Sequence, residues 1–337
     1  MMIRFGVIGT NWITERFIES ANLVEDFQLE AVYSRTEPKA KEFASKFGIT
    51  NTVTSIEKMV TGDVVDAVYI ASPNSYHMEQ AIQCMTNGKH VICEKPLASN
   101  VFEVNKMIQT ARANNVLLME ALKTTCLPNF QVIKDNMHKI GKVRRYNANY
   151  CQYSSRYDKY KEGIVLNAFD PTFSNGSLMD IGIYCVYPLV TLFGEPNSVS
   201  AAGIKLESGV DGQGSILLSY ECGMDATIIF SKIANSNLPS EIQGENGNIV
   251  IDKIHTPEHV EIHYKDGTVE DITVPQRNES MYYEVKEFID LIKNNVLEST
   301  INTYERTFTT AKLLEESRKQ MGIVYPADEK ARMEKDK

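Results

Sequence analysis

Two segments of the chain place side chains able to move protons beside rigid or small neighbours. Cys93-Glu94-Lys95-Pro96 follows a short apolar run, so Lys95 stands at a strand end with proline fixing the backbone beyond it. A lysine so framed projects its charge toward whatever binds past the strand, whereas a solvated surface lysine needs no such frame. Further along, Asn175-Gly176-Ser177-Leu178-Met179-Asp180-Ile181-Gly182-Ile183-Tyr184 reads as a small-residue loop entering a helix. The spacing of Asp180 and Tyr184 puts both on one helical face. An unperturbed phenol has a pKa of about 10, so Tyr184 needs a neighbouring cation to serve as a base at neutral pH. Each residue also has a plainer use: Tyr184 as aromatic packing, Asp180 as a helix cap or orienter. Lys95 is the one that a structural role explains least.

A second group of residues suits phosphate and ribose recognition. Gly6-Val7-Ile8-Gly9-Thr10-Asn11-Trp12-Ile13-Thr14 runs from a strand into a helix, where backbone amides and a helix N-terminus can approach a pyrophosphate. Aligned on G-x-G-x-x-G, it keeps only Gly9. Asn11 and Thr14 take the second and third glycine places, and Asn tolerates the left-handed conformation better than most residues. An ordinary strand–turn–helix with no ligand remains open. About twenty residues later, where NAD enzymes place an acidic residue on the ribose, stand Ser34-Arg35-Thr36 and, one turn on, Lys39. A hydroxyl and two cations suit a 2′-phosphate, so NADP(H) is expected over NAD(H). Glu37 keeps open the alternative of a merely solvated helix start. A third cluster, Ser72-Pro73-Asn74-Ser75-Tyr76-His77, opens directly after a buried strand and is expected to line the cofactor crevice together with Glu94 and Lys95.

The elements that must hold these residues alternate in a βαβ rhythm over the first 120 positions or so. Strands are expected at 3–8, 29–34, 66–71, 90–93 and 116–120. Helices are expected at 12–24, from near Pro38 to Gly48, from about Ser75 to Gly88, and from the Asn100/Glu103 capping box to about Asn114. From about residue 142 the pattern becomes strand-rich: 143–153, 197–207, 214–220, 224–231, 248–252, 259–264 and 268–274, with Asp266-Gly267 as a turn. Helical patterns follow near 281–294 and 302–320. The expected architecture is an α/β Rossmann domain (1–121) plus an α+β domain (122–326) with a large, mainly antiparallel open sheet. A C-terminal helix could pack back on the first domain. The charged segment 327–337 lacks an apolar stripe and is expected to fray.

In this order Gly9-Thr10, Ser72-Pro73-Asn74 with His77, Glu94-Lys95-Pro96 and the Asp180–Tyr184 helix resemble the glucose–fructose oxidoreductase / inositol dehydrogenase (Gfo/Idh/MocA) family, to about Tyr325-Pro326. Many members have His in place of Tyr184. The Asp-x-Gly-x-Tyr form, with Met119-Glu120-Ala121-Leu122-Lys123, is most similar to dimeric dihydrodiol dehydrogenases and NADP-linked xylose dehydrogenases. The resemblance implies oxidation of a secondary or anomeric hydroxyl of a sugar, polyol or dihydrodiol, or the reverse reduction. It implies Tyr184 as acid/base with Lys95 as electrostatic partner, or Lys95 alone as proton carrier, and Asp180 binding substrate or positioning Lys95. It also implies a homodimer or higher homo-oligomer. The cofactor contacts would come from Gly9, Thr10, Asn11, Trp12, Ile13, Ser34, Arg35, Lys39, Ser72, Pro73, Asn74, His77, Glu94 and Lys95.

Composition narrows the partners. A net charge of −9 without a basic stripe disfavours nucleic acid and favours a small-molecule polyhydroxy substrate. No membrane association is expected, and the N-terminal residues run straight into a strand pattern, consistent with a cytoplasmic protein. The six cysteines form no C-x-x-C pair and read as buried thiols; no metal is expected. The Asn-x-Ser sequences at Asn175 and Asn278 read as chance. The rival is a non-catalytic NAD(P)-binding regulatory or sensor protein on the same fold, favoured by the altered glycine loop and disfavoured by Lys95, Asp180 and Tyr184.

Overall fold

The computed structural model describes residues 2–335 and divides into two compact units. The first comprises residues 1–98, 102–123 and 277–307. Its sheet has six strands: β1 (Ile3–Ile8), β2 (Phe27–Tyr33), β3 (Thr52–Val53), β4 (Ala67–Ile70), β5 (His90–Glu94) and β6 (Leu118–Ala121). All pairs are parallel and the order is β3-β2-β1-β4-β5-β6, the doubly wound arrangement whose direction of travel reverses between β1 and β4. The central strands are mostly apolar, Arg4 of β1 being an exception, because helices cover both faces. Phe17, from the helix Trp12–Ala21, stacks on Tyr69 of β4 with centroids 3.6 Å apart, inside a core that includes Phe5, Phe27 and Ile92.

The helix Tyr282–Lys293 belongs to this unit although it lies far along the chain: Val285, Phe288 and Ile289 join the same core, and Phe288 meets Phe5 at 5.9 Å. Its apolar positions recur three and four apart, giving the one-sided stripe of a surface-packed helix. The strand β3 and the short helix Ile56–Val60 are additions to the expected pattern, too short to show a period.

The second unit comprises residues 99–101, 124–276 and 308–337. Its strands are β7 (Val143–Cys151), β8 (Ser198–Lys205), β9 (Asp211–Ser219), β10 (Asp225–Ser231), β11 (Ser240–Gly244), β12 (Gly247–Ile251), β13 (Val260–Tyr264) and β14 (Val269–Asp271), in the order β14-β13-β12-β11-β7-β10-β9-β8. Every neighbouring pair is antiparallel except β7 and β10. One face is buried: Tyr146, Ile216, Leu218, Ile228 and Phe230 point inward, and Tyr146 donates its hydroxyl to Cys185 O of the helix Ile183–Phe193. Leu217 and Ile229, alternate residues on the other face, are exposed.

The charged tail departs from expectation. Pro326–Lys335 is a helix rather than a frayed end, with Ala327 and Ala331 buried; residues 336–337 lie outside the described residues. The reason is a buried cation that local sequence does not reveal. The Arg318 guanidinium, sealed from solvent, donates to Asp328 at 2.8 Å and to Ser99 O at 3.0 Å and lies over the Tyr325 ring. Asp328 in turn accepts the Tyr325 N–H, satisfying a backbone donor at the helix start.

Candidate active site

In the first unit the expected cofactor residues gather at the carboxyl end of the parallel sheet. Gly9 follows β1 with φ +115°, and a Cβ there would stand 2.7 Å from Ala71 O, just past β4. Only glycine allows the two strand ends to approach this closely while keeping that backbone conformation. Asn11 does something other than expected. It is extended, at φ −111°, and caps the helix Trp12–Ala21: Oδ1 accepts from the N–H groups of Ile13 and Thr14 at 3.0 and 3.2 Å. Its Nδ2 donates to Ala71 O at 2.9 Å, which ties the β1 and β4 loops together at the point where the sheet reverses. The lost glycine is thus replaced by a side chain that makes the turn by capping.

Thr14 is fully buried, whereas Trp12 is 58% exposed with the Arg16 guanidinium 5.6 Å from its ring. Ser34 is buried at the end of β2, and Arg35 and Lys39 are exposed beside it. Glu37 is paired with Lys41 at 2.6 Å one helical turn on, a cation other than Arg35 or Lys39. The residues present therefore fit a phosphorylated dinucleotide: a glycine at the close approach, a capped helix N-terminus and two cations past β2.

Ser72, Pro73 and Asn74 follow β4, with Ser72 Oγ donating to Gln80 at 2.7 Å. His77 is completely buried, its Nε2 2.9 Å from Ser72 O and its Nδ1 3.1 Å from Pro96 O. Burial lowers its pKa, opposed by the backbone hydrogen bonds, and a neutral imidazole, with one N–H, donates to one of these carbonyls while its ring packs between the β4 and β5 loops. This placement gives His77 a positioning part. Lys95 follows β5 directly, is half-buried, and is joined to Pro96 by a cis peptide.

Around Lys95 lies a layer of buried charge. Glu94 accepts the Tyr69 hydroxyl at 2.7 Å, and burial raises its pKa against the opposing pull of Lys95. Lys123 donates to Ser280 at 2.9 Å; burial pushes its pKa down, with Glu284 and Glu94 acting the other way and Arg16 and Lys95 adding to the fall. Glu284 is fully buried with neither carboxyl oxygen hydrogen-bonded among the described residues. Burial, then Glu94, pushes its pKa well up. Sequence reasoning assigns no site role to Glu284, or to Lys123 beyond its place in the Met119–Lys123 segment, because they come to β5 from the distant helix Tyr282–Lys293 and from the residues after β6.

In the second unit, Asp180 and Tyr184 do not share a regular α-helical face. Leu178–Gly182 forms a π turn that leads into the helix Ile183–Phe193, and such turns are frequent at functional sites. Gly182 makes it possible: a Cβ there would meet Leu178 Cδ1 at 2.9 Å and Phe230 of β10 at 3.1 Å. Asp180 pairs with Lys232, the residue just past β10. Tyr184 lies edge-on to Tyr150 at 5.9 Å and to His255 at 6.3 Å, while Tyr150 and His255 stack at 4.1 Å. Lys232, His255 and Tyr150 were not among the expected site residues. A lysine ending a strand is the only local signal, for Lys232; nothing local marks the other two. The segment Tyr153–Tyr157 enters a short helix, Ser155–Lys161, where Lys161 sits over the rings of Tyr153 and Tyr157. No group of three or more His, Cys, Asp or Glu residues fit to hold a metal occurs among the described residues.

Residues 3–122 match the family described as "Oxidoreductase family, NAD-binding Rossmann fold", and residues 135–250 match the GFO/IDH/MocA C-terminal domain. The chain is 60% identical over 328 residues to scyllo-inositol 2-dehydrogenase (NADP(+)) IolU of Bacillus subtilis, covering 97% of this chain and 100% of that one. Mouse trans-1,2-dihydrobenzene-1,2-diol dehydrogenase is 29% identical over 346 residues, covering 98% and 100%. Among solved structures, the 3-ketoreductase KijD10 of Actinomadura kijaniata, in complex with NADP and TDP-benzene, shares the fold with a TM-score of 0.85 at 24% identity, covering 96% and 99%. The chain belongs to the Gfo/Idh/MocA oxidoreductase family.

Proposed function

We propose that the protein is an NADP(H)-dependent oxidoreductase acting on a hydroxyl or carbonyl carbon of a polyol, with a cyclitol such as scyllo-inositol as the leading substrate. The observation that carries this reading is the 60% identity, over the whole length of both chains, to a scyllo-inositol 2-dehydrogenase that uses NADP(+). The pairing of Glu37 with Lys41, rather than with Arg35 or Lys39, supports the cofactor choice. Gly9, Thr10, Asn11, Trp12, Ile13, Ser34, Arg35, Lys39, Ser72, Pro73, Asn74 and Glu94 would hold the cofactor, with His77 fixing their loops.

The bound nicotinamide supplies the two-electron acceptor or donor. The chain's own task is the accompanying proton. In the oxidative direction the substrate hydroxyl would give its proton to Tyr184 acting as a phenolate, a form that an ammonium such as that of Lys95 would stabilise. Lys95 as the direct proton carrier is the alternative. Asp180 accepts a hydrogen bond from a substrate hydroxyl. The same reading makes the protein soluble and cytoplasmic, and a homodimer or larger homo-oligomer, supported by the exposed apolar residues Leu217 and Ile229 on the open sheet face.

Initial rates with scyllo-inositol, myo-inositol, aldoses and vicinal diols, each with NADP⁺ and NAD⁺, test the proposal. Turnover of a cyclitol with NADP⁺ is the expected result. Cofactor binding without turnover of any polyol would favour a regulatory protein.

A further inference from the structure

Lys232 is an unusual residue to find inside a protein without a purpose. It is the first residue after β10, yet its side chain turns inward and is only 6% accessible. Its backbone is fixed twice: the N–H donates to Gly212 O at 2.9 Å, and the carbonyl accepts the Ser154 N–H at 2.9 Å. The ammonium donates to Asp180 Oδ2 and lies 5.7 Å from the Phe169 ring centroid. Burying a lysine sacrifices hydration and rotamer freedom, which an isolated surface pair would not repay.

The pair is asymmetric. Asp180 keeps 33% of its side chain accessible, so a buried cation is paired with a partly accessible carboxylate. A second carboxylate, Asp211, is sealed nearby: its Oδ2 accepts the Leu178 N–H at 2.6 Å at the start of the π turn, while its Oδ1 has no partner among the described residues. The charges of Arg318 and Lys232 both act on it. Lys232 therefore backs the π turn beside both carboxylates, one partly accessible and one buried.

We propose that Lys232 is a positioning residue for substrate recognition: it holds Asp180 fixed on the π turn, so that the site offers a carboxylate acceptor to the hydroxyls of a neutral polyhydroxy substrate. This rests on the function proposed above. A carboxylate oxygen accepts hydrogen bonds and cannot donate them, so the paired Asp180 suits substrate hydroxyls as donors.

The test is a double-mutant cycle of Lys232→Met and Asp180→Asn, read as kcat/KM for the best polyol at saturating NADP⁺. NADPH affinity and the denaturation midpoint are followed in parallel. The Lys232→Met variant should lose roughly 10- to 100-fold in kcat/KM, the scale of a hydrogen bond to a charged group, with NADPH affinity unchanged. In the Asp180→Asn background the same change should bring little further loss, because a residue acting through Asp180 has nothing left to position. Lys232→Arg should recover most of the activity, and Lys232→Gln replaces the Met variant if that one does not fold. Additive losses, or near-normal activity without the cation, would overturn the proposal while leaving an active wild type. A wild type that turns over no polyol would instead overturn the function it rests on.

Discussion

The Nδ1 atom of His77 lies 3.1 Å from the carbonyl oxygen of Pro96, the residue that follows Lys95, while its Nε2 lies 2.9 Å from Ser72 O. One buried ring thus links the loop past β4 to the loop that presents the catalytic candidate. Replacing it by alanine removes a buried donor and frees the Lys95 segment to shift. His77→Ala is expected to lower stability by about 1–3 kcal/mol, the scale of a lost buried hydrogen bond. Turnover should fall by up to about 100-fold, since displacements of an ångström at a reacting group have that effect. Steady-state kinetics and a urea melt check both; an unchanged kcat would mean that Lys95 is held by something else.

Lys95 and Tyr184 divide the proposed proton transfer, and their variants should separate the two roles. Lys95→Met should abolish turnover while a fluorescence titration still shows NADPH bound. Tyr184→Phe should cut kcat by about 10²–10⁴, the usual worth of a positioned acid or base. If the phenylalanine variant turns over at the wild-type rate, the proton travels through Lys95.

Much of this arrangement was legible in the sequence, and the part that was not has a common cause. The βαβ series and the helix stops at Gly48 and Gly88 follow from local propensity, and both glycines adopt positive φ. Lys95 could be singled out because Pro96 and the strand before it are neighbours in sequence. The π turn under Asp180 depends on Gly182 meeting Phe230, and the ion pair of Asp180 with Lys232 spans 52 positions. The strand β11, Ser-Glu-Ile-Gln-Gly, carries a single apolar residue and is a strand because β7 and β12 flank it. Likewise the tail folds on a cation, Arg318, that its own composition does not suggest. Periodicity sees a chain's near neighbours; these features are decided by distant ones.

The proposed reading assigns the cofactor preference to Arg35 and Lys39. Glu37, the carboxylate between them in sequence, pairs with Lys41 at 2.6 Å. Changing both Arg35 and Lys39 to alanine should weaken NADPH binding by roughly 10- to 100-fold while leaving NADH binding within a few-fold, because charge-assisted bonds to a 2′-phosphate are lost and none to a 2′-hydroxyl. Fluorescence titration of both nucleotides measures this. A wild type that binds NADH more tightly than NADPH would refute the assignment.

Glu120 supplies a prediction in pH. It is buried on β6, its Oε1 accepts the Leu97 N–H at 2.8 Å, and its Oε2 has no partner among the described residues. Burial, opposed by its hydrogen bonds, pushes its pKa from 4.5 to about 7. The folded state therefore holds this proton more tightly than the unfolded chain. Its contribution to stability is full below pH 4.5, declines as pH rises, and is lost above about 7. Glu120→Gln keeps an acceptor for Leu97 and cannot ionise, so its difference from wild type is a pH-independent offset plus this titration. Urea melts should show the variant gaining on wild type by on the order of 3 kcal/mol between the two ends of that window. Glu284, whose pKa is raised in the same direction, is present in both proteins and cancels in the comparison to the extent that the two carboxyls are independent. Parallel stability curves would show that Glu120 is already ionised in the folded protein, and that the layer of charge behind Lys95 carries one more negative group than its burial suggests.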